Sequence, residues 1–350
     1  MSLSKKDKYI ALFLVILFLI SFTLDVVLGP VKIPLGVVVK IILGSNELNS
    51  TWSTIITEFR LPKAITAVLA GSALSVCGLI MQTFFRNPLA DPFVLGISSG
   101  ASFGVALVIL TAGSFGINLF FLGGLIGNLS ITIAAILGAL IVLLVIMIIA
   151  RKISNNITLL ILGLMIGYVI SSIENFLKFF SSPENLQGYV IWGMGNFGNV
   201  VWKDLYFLIP VIFIGLAFSF ILSKQLNLLL LGENYAKSLG VRTNQMRIFI
   251  IVIAGVLGGA ITAFCGPIAF VGIAVPHVTK NLLNHFDHKI LIPSVALSGS
   301  ILTLICDILS QLPGGSQTIP INTVTSLLGA PIVIWIIIKQ RKTKYYLVAE

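Results

Sequence analysis

Few residues in this 350-residue chain have the chemistry for catalysis or ligation, and their spacing argues against both. Of the three histidines, His277 follows Val275-Pro276, while His285 and His288 flank Asp287. A metal site needs a full set of donors, which this stretch does not offer, so no metal is expected and His277 is expected to make a structural hydrogen bond. Cys77, Cys265 and Cys306 all fall inside apolar stretches, where a thiol behaves as a small hydrophobe, so neither a disulfide framework nor a redox pair is implied. Glu174 and Lys178 stand four apart, the spacing of a helical ion pair, and Asp307 is expected to cap or pair locally. No proton relay follows from these groups. The sequence holds no Gly-x-x-x-x-Gly-Lys-Ser/Thr phosphate loop.

What stands out instead are polar islands in an apolar chain. The turn Arg86-Asn-Pro-Leu-Ala-Asp-Pro92 is wedged between two long hydrophobic stretches, and such a turn must lie at a membrane surface or inside protein. Residues 224–246 are the least membrane-like part of the chain. There Gly232 and Glu233 can open a short helix with the carboxylate at its positive end, and Leu239-Gly240 can close it. Leu231, Ala236 and Leu239 make the element amphipathic; it is either an interfacial helix on lipid or a peg for a cytoplasmic partner. Phe176, Phe179, Phe180, Tyr189 and Trp192 crowd one region, as walls for a large flat ligand or as an interfacial aromatic belt.

The elements that position these islands follow from composition. With mean hydropathy +1.08, 57% hydrophobic and 10% charged residues, the chain has too little polar surface to clothe a soluble globule. An all-α polytopic membrane protein is expected, with about ten spans near 9–29, 62–85, 92–112, 119–150, 157–179, 204–223, 247–265, 268–281, 290–311 and 321–338, the eighth short. With the N-terminus placed in the cytoplasm, 16 of the 22 Lys and Arg residues fall in inside loops, which satisfies the positive-inside rule and puts both termini inside. The net charge of +10 then reports orientation, and no nucleic-acid partner is expected. Residues 9–24 after Lys5, Lys6 and Lys8 read as an uncleaved first helix because no small-x-small cleavage site follows. Gly96, Gly100 and Gly104, Gly123 and Gly127, and Gly163 and Gly167 repeat every four residues, a spacing that lets helices pack closely. A single transmembrane domain over residues 1–350 is expected, with 224–246 as its cytoplasmic loop.

Taken in order, several motifs resemble one family. They are Arg60-Leu-Pro-Lys63, Asn87-Pro-Leu-Ala-Asp-Pro92 with Leu95-Gly-Ile-Ser-Ser-Gly100, Trp192-Gly-Met-Gly195 and Leu231-Gly-Glu233. Gly266-Pro-Ile-Ala-Phe-Val-Gly272, Val275-Pro-His277, Asp287-His-Lys289, Asp307-Ile308 and Leu328-Gly-Ala-Pro331 complete the series. From about residue 60 to 340 the chain resembles the FecCD-type permeases, the membrane subunits of ABC importers for iron-siderophores, haem and cobalamin. The resemblance implies a type II ABC importer permease fold in a bacterial inner membrane and pairing with a second permease copy. It also implies two cytoplasmic ATPases that use ATP and Mg, an extracytoplasmic binding protein, and no cofactor on this chain.

The resemblance also implies roles residue by residue. Leu231, Gly232, Glu233, Ala236 and Leu239 would form the coupling helix seated in the ATPase. Asn87, Pro88, Leu89 and Asp91, with Asn155 and Asn156 of the turn Ser154-Asn-Asn-Ile157, would build the cytoplasmic gate. Arg60 and Lys63, which run against the positive-inside trend, would meet acidic groups of the docked binding protein; headgroup snorkelling is the other reading. Gln311 stands where some relatives carry a third basic contact. Leu160, Leu164, Tyr168 and Ser171 on the fifth span and Thr325, Leu328 and Val333 on the tenth would line the pathway. The alternatives are an ion-gradient-driven secondary transporter, which would need mid-span carboxylates, and a metal-ion ABC permease, which would need His and acidic side chains along a span.

Overall fold

A computed structural model describes residues 5–42, 50–112, 125–153, 155–311 and 318–348. Every regular element among them is helical, as it must be where hydrocarbon offers no partner to backbone groups. The order is α1 (Lys5–Val27), α2 (Leu35–Ile42), α3 (Ser50–Thr54), a π-helical turn (Ile55–Arg60) and α4 (Leu61–Phe85). A 3-10 turn (Pro92–Leu95) leads into α5 (Ile97–Ala112), α6 (Leu125–Lys152), α7 (Asn156–Phe179), α8 (Pro183–Gly193) and α9 (Trp202–Ile221). Then come α10 (Ser223–Leu230), α11 (Glu233–Ser238), α12 (Thr243–Cys265), α13 (Val271–Leu283), α14 (His288–Gln311) and α15 (Ile321–Val348). Seven helices among the described residues are long and apolar enough to cross a bilayer, and Ile97–Thr111 and Ile321–Trp335 are shorter apolar helices. With α13, whose 13 residues are too few to span hydrocarbon alone, these occupy the ten expected windows.

The second span begins earlier than expected. Glu58 and Arg60 interrupt the apolar window but not the helix, which runs on through the π turn as one 35-residue rod from Thr51 to Phe85. Three short helices, α2, α3 and α8, fall in segments expected to be loops.

α4 is the axis of the molecule, with nearly every residue from Ala70 to Phe85 buried. Small residues make that possible, because lipid gives no hydrophobic drive and backbones must touch to gain dispersion energy. A Cβ on Gly71 would lie 2.2 Å from Gly299 O on α14, and one on Gly78 would lie 1.9 Å from Gly272 O on α13. Hydroxyls cross the same seam: Thr303 Oγ1 donates to Ala67 O at 2.7 Å, Ser75 Oγ to Val295 O at 3.0 Å and Ser300 Oγ to Val68 O at 3.0 Å. α5 packs on α6 through Gly100, Gly104 and Gly138. Gly96 precedes α5 and lies against Gly163 and Gly167 of α7. The expected glycine rows that can be followed are thus internal seams; Gly123 lies outside the described residues.

α7 and α15 are only partly covered. Along α7 the inward row is Leu159, Gly163, Ile170 and Glu174, and most other positions from Ile157 to Phe180 are exposed or half-exposed. Along α15 the exposed row is Thr323, Leu327, Pro331 and Ile334, spaced by four, four and three.

Candidate functional site

The candidate site lies at the end of the bundle where α4 stops at Arg86. Arg86 takes the left-handed conformation (φ 50°) as the C-cap of α4, which turns the chain sharply out of the helix. Asn87 Oδ1 accepts from Leu89 N at 3.0 Å, and Asp91 Oδ1 accepts from Phe93 N at 3.1 Å to cap the 3-10 turn. His277 Nε2 donates to Pro88 O at 2.8 Å, so the ring makes the expected structural bond and pins the turn to α13. Leu89 is exposed, Asn87 and Pro88 are half-buried, and Asp91 is buried. Two polar gate candidates, Asn87 and Asp91, therefore spend their side chains holding the turn. Asn155 does likewise: its Oδ1 caps α7 by accepting from Ile157 N at 2.8 Å and Thr158 N at 3.4 Å. Ser154 and the side chain of Asn156 lie outside the described residues.

Burial raises the Asp91 carboxyl from an ordinary 3.8 to about 7, offset in part by the Phe93 amide. A carboxylate with a raised folded-state pKa favours folding fully only below its unfolded value, and that contribution disappears as pH rises through about 7. An Asp91→Asn variant, which keeps the cap, should therefore melt above the parent by more at pH 8 than at pH 5, the gap closing only as the pH falls to the unfolded value of 3.8. Thermal unfolding in detergent at the two pH values reads this directly.

Beside the turn sits α11. Gly232 (φ 118°) supplies a backbone turn that a side chain would strain, and a Cβ there would lie 3.7 Å from Arg86 Nη1. Glu233 opens the helix as expected, Gly240 (φ 84°) follows its end, and the element stands out from the bundle. Tyr235 on the helix and the flanking Leu231 (61% exposed, the C-cap of α10) and Leu239 are exposed apolar side chains. Ala236 is fully buried, so it packs inward and not outward with them. Tyr235 was missed, although its four-residue spacing from Leu239 carried the signal. Glu233 also turns inward: its Oε1 lies 3.6 Å from Arg247 Nη2 and 3.3 Å from Lys237 Nζ. α10 is tied to the core by Asn227, whose Oδ1 accepts from His288 N at 2.9 Å and His288 Nδ1 at 2.7 Å and whose Nδ2 donates to Asp287 Oδ1 at 2.7 Å. Those bonds hold Asp287 below the usual carboxylate range, the Asn227 amide contributing most. His288 Nε2 meets Thr83 Oγ1 at 2.8 Å, and His285 pairs with Asp7. Among the described residues no three metal-ligating side chains cluster, and all three cysteines are buried and free.

Three of the recurring motifs meet in space. Gly266 (φ 75°) lies so close to Trp192 O that a Cβ would be 2.6 Å away, Asn196 N donates to Cys265 O, and Asn322 N donates to Met194 O. Asn322 Oδ1 also accepts from Ala269 N at 3.1 Å, and Gly329 leaves room for Phe270. The spacing of the motifs is thus a packing arrangement, and the whole-chain comparisons agree with it. A model of the FecCD transport family matches residues 14–339. The chain belongs to the FecCD transport family. Relatives of this FecCD chain include the hemin transport system permease protein HmuU of Yersinia pestis, 32% identical over 86% of this chain and 88% of that protein. The vitamin B12 import system permease protein BtuC of Salmonella paratyphi A is 32% identical over 84% of this chain and 87% of its own length. A solved structure described as an inward-facing conformation of a metal-chelate type ABC transporter superposes with a TM-score of 0.80 at 27% identity, covering 95% of this chain and 99% of that one.

At the other end of this permease, the two basic docking candidates have internal partners. Arg60 is only 7% exposed; its Nη1 donates to Val26 O at 3.1 Å and Val27 O at 2.6 Å, and its Nη2 to Val31 O. A cation there satisfies carbonyls that α1 leaves open at its C-terminus. Gly29 leaves space for the guanidinium, since a Cβ would lie 2.8 Å from Nη2. Lys63 Nζ lies 2.8 Å from Asp307 Oδ2, so Asp307 pairs across helices, not only locally. Gln311, in the position of a third basic contact, donates to Asp307 Oδ2 at 3.0 Å and reaches Asp25 Oδ1 at 3.5 Å.

The pathway candidates divide by helix face. Leu164, Tyr168 and Ser171 lie on the open face of α7, and Leu160 is half-buried. On α15, Leu328 and Val333 are half-buried and Thr325 is 2% exposed, its Oγ1 donating to Asn322 O. Thr325 is two residues from both Thr323 and Leu327, so it points to the opposite side of the helix from the open row. A groove of about 550 Å³ on that row is lined by Asn322, Thr323, Ser326, Leu327, Ala330, Pro331 and Ile334. Glu174 and Lys178 pair at 3.9 Å, as expected. The aromatics separate: Phe176, Phe179 and Phe180 are exposed and mutually packed, while Tyr189 is buried, with Ser102 Oγ 2.6 Å from its hydroxyl.

Proposed function

We propose that this FecCD permease forms the membrane pathway of an ATP-driven importer for a large iron- or cobalt-bearing chelate, of the haem, cobalamin or ferric-siderophore kind. The observation that carries the reading is the set of exposed apolar side chains Leu231, Tyr235 and Leu239 on and beside α11, an element anchored from behind by Glu233 and Asn227. Such a peg serves a partner that pushes on it, here the two cytoplasmic ATPases that bind ATP and Mg. The chain itself binds no cofactor.

Two permease copies pair across the open faces of α7 and α15, whose rows Leu164, Tyr168 and Ser171 and Thr323, Leu327 and Pro331 flank the pathway. The turns at 86–91 and 154–157 close it at the cytoplasmic side, and Leu89, the exposed member of the first turn, is its contacting residue. A binding protein docks at the Arg60 end, outside the membrane, where Lys63 is the one of the two docking candidates that keeps partial exposure. The protein is then a multi-pass component of a bacterial inner membrane with both termini cytoplasmic, and residues 1–350 form one transmembrane domain. Proteoliposomes containing the permease, its ATPases and its binding protein should take up hemin, cyanocobalamin or a ferric catecholate in competition with one another and only with ATP. Uptake driven by a proton or sodium gradient without ATP would overturn the proposal.

A further inference from the structure

Behind the peg lies a charged group that the functional reading does not use. Arg247, at the start of the second turn of α12, is 3% exposed. On one side its Nη2 faces Glu233 Oε1 of α11 at 3.6 Å. On the other its Nη1 donates to Ala150 O at 3.4 Å and to Ile153 O, carbonyls at the C-terminal end of α6. Two residues beyond Ile153 stands Asn155, the cap of α7, and α7 carries the open face. One planar guanidinium therefore spans three helices and touches the last residue before the 154–157 turn.

We propose that Arg247 is a positioning residue that carries displacement of α11 to the α6–α7 turn, so that a push on the peg moves the gate. The proposal rests on α11 being the element that meets the ATPase. Its physical basis is the cost of parting a buried charge from its partners. A guanidinium fork holds direction as well as distance, and a buried cation that loses its carboxylate is strongly destabilised. When α11 shifts, Glu233 draws Arg247 with it, and the α6 carbonyls, already negative at a helix C-terminus, either follow or lose their donor. Lys237, the other cation on Glu233, is exposed and on α11 itself, so it cannot transmit motion to another helix. The hinge at Arg86 approaches Gly232, and among the described residues Arg247 links Glu233 of α11 to the carbonyls at the end of α6.

Position between two sites is not evidence of coupling, so the test reads coupling itself. Ile157, exposed in the first turn of α7, is replaced by Cys, and its labelling rate by a membrane-impermeant maleimide is measured in the detergent-solubilised complex with and without Mg-ATP and vanadate. The native cysteines are buried. The parent should show a nucleotide-dependent change of roughly five-fold or more, the lower range of ordinary allosteric coupling. Arg247→Gln should abolish that change while the ATPase subunits still co-purify, and Arg247→Lys, which keeps the charge but not the fork, should restore part of it. Glu233→Gln cuts only the α11 side, leaves the α6 bonds in place and should also abolish it, which keeps the test open if Arg247→Gln fails to fold. A response that survives in Arg247→Gln and Glu233→Gln but is lost in Leu231→Ala would overturn the relay and leave α11 as the coupling element. A response that survives all three, or is absent in the parent, would overturn both.

Discussion

Gly78→Val should leave no folded permease to isolate. A Cβ on Gly78 would sit 1.9 Å from Gly272 O and 2.5 Å from Gly272 C, and both are backbone atoms that no rotamer change can move. Adding methylenes to a packed interior costs about 1–3 kcal/mol where side chains can yield. Here the α4–α13 seam itself must open, with loss of the Gln82 Nε2 bonds to Gly272 O and Ile273 O beside it. The expected loss is on the order of 5 kcal/mol, the range reserved for severe core lesions. Gly36→Ala is the matched control: it lies in the first turn of α2, and a Cβ there meets nothing within 4 Å. Size-exclusion profiles of fluorescently tagged protein in mild detergent should show a monodisperse peak for Gly36→Ala and aggregate for Gly78→Val. A monodisperse Gly78→Val chain with the parent's melting temperature would mean that the close approach of α4 to α13 is wrong.

How much of this was legible depends on the range of the interaction. Span positions follow from long apolar runs, a local property, and all ten windows hold helices. The Glu233 helix start and the Gly240 stop were also local. α8 was missed although Ser182-Pro183-Glu184 is a helix-start sequence: Ser182 Oγ accepts from Asn185 N, and Pro183 needs no donor in the first turn. A window tuned to apolar length passes over it. The rest depends on distance. Arg60 and the α1 carbonyls are about 30 residues apart in the chain, and Lys63 and Asp307 lie on helices far apart in sequence. Nothing in the local pattern distinguishes a surface lysine from one that reaches a buried carboxylate. The same holds for helix faces: Thr323 and Thr325 are equivalent by type, and only packing against the rest of the bundle buries one and exposes the other.

The Lys63–Asp307 pair allows fold and docking to be separated, which Arg60 does not, because a guanidinium that caps α1 cannot be reversed without disturbing the helix. Asp307 is nearly inaccessible while Lys63 keeps part of its surface, so a single Lys63→Met change leaves a buried carboxylate held by Gln311 and lying against the Asp25 carboxyl, with no ammonium beside it. Removing one member of a buried pair costs about 3–5 kcal/mol, whereas replacing both with apolar residues of similar size is often close to neutral. Lys63→Met should therefore melt well below the parent, and Lys63→Met with Asp307→Leu should recover most of the difference. The recovered double variant then isolates the charge that Lys63 offers to a partner. If that charge meets acidic groups on the binding protein, docking to the folded double variant should be weaker at low ionic strength and should approach the parent's value as salt screens the parent's advantage. Titration of labelled binding protein at two salt concentrations reads this, with melting temperature measured on the same samples. Parent-like docking at low salt by a double variant of parent-like stability would make the ammonium a purely internal brace between α4 and α14.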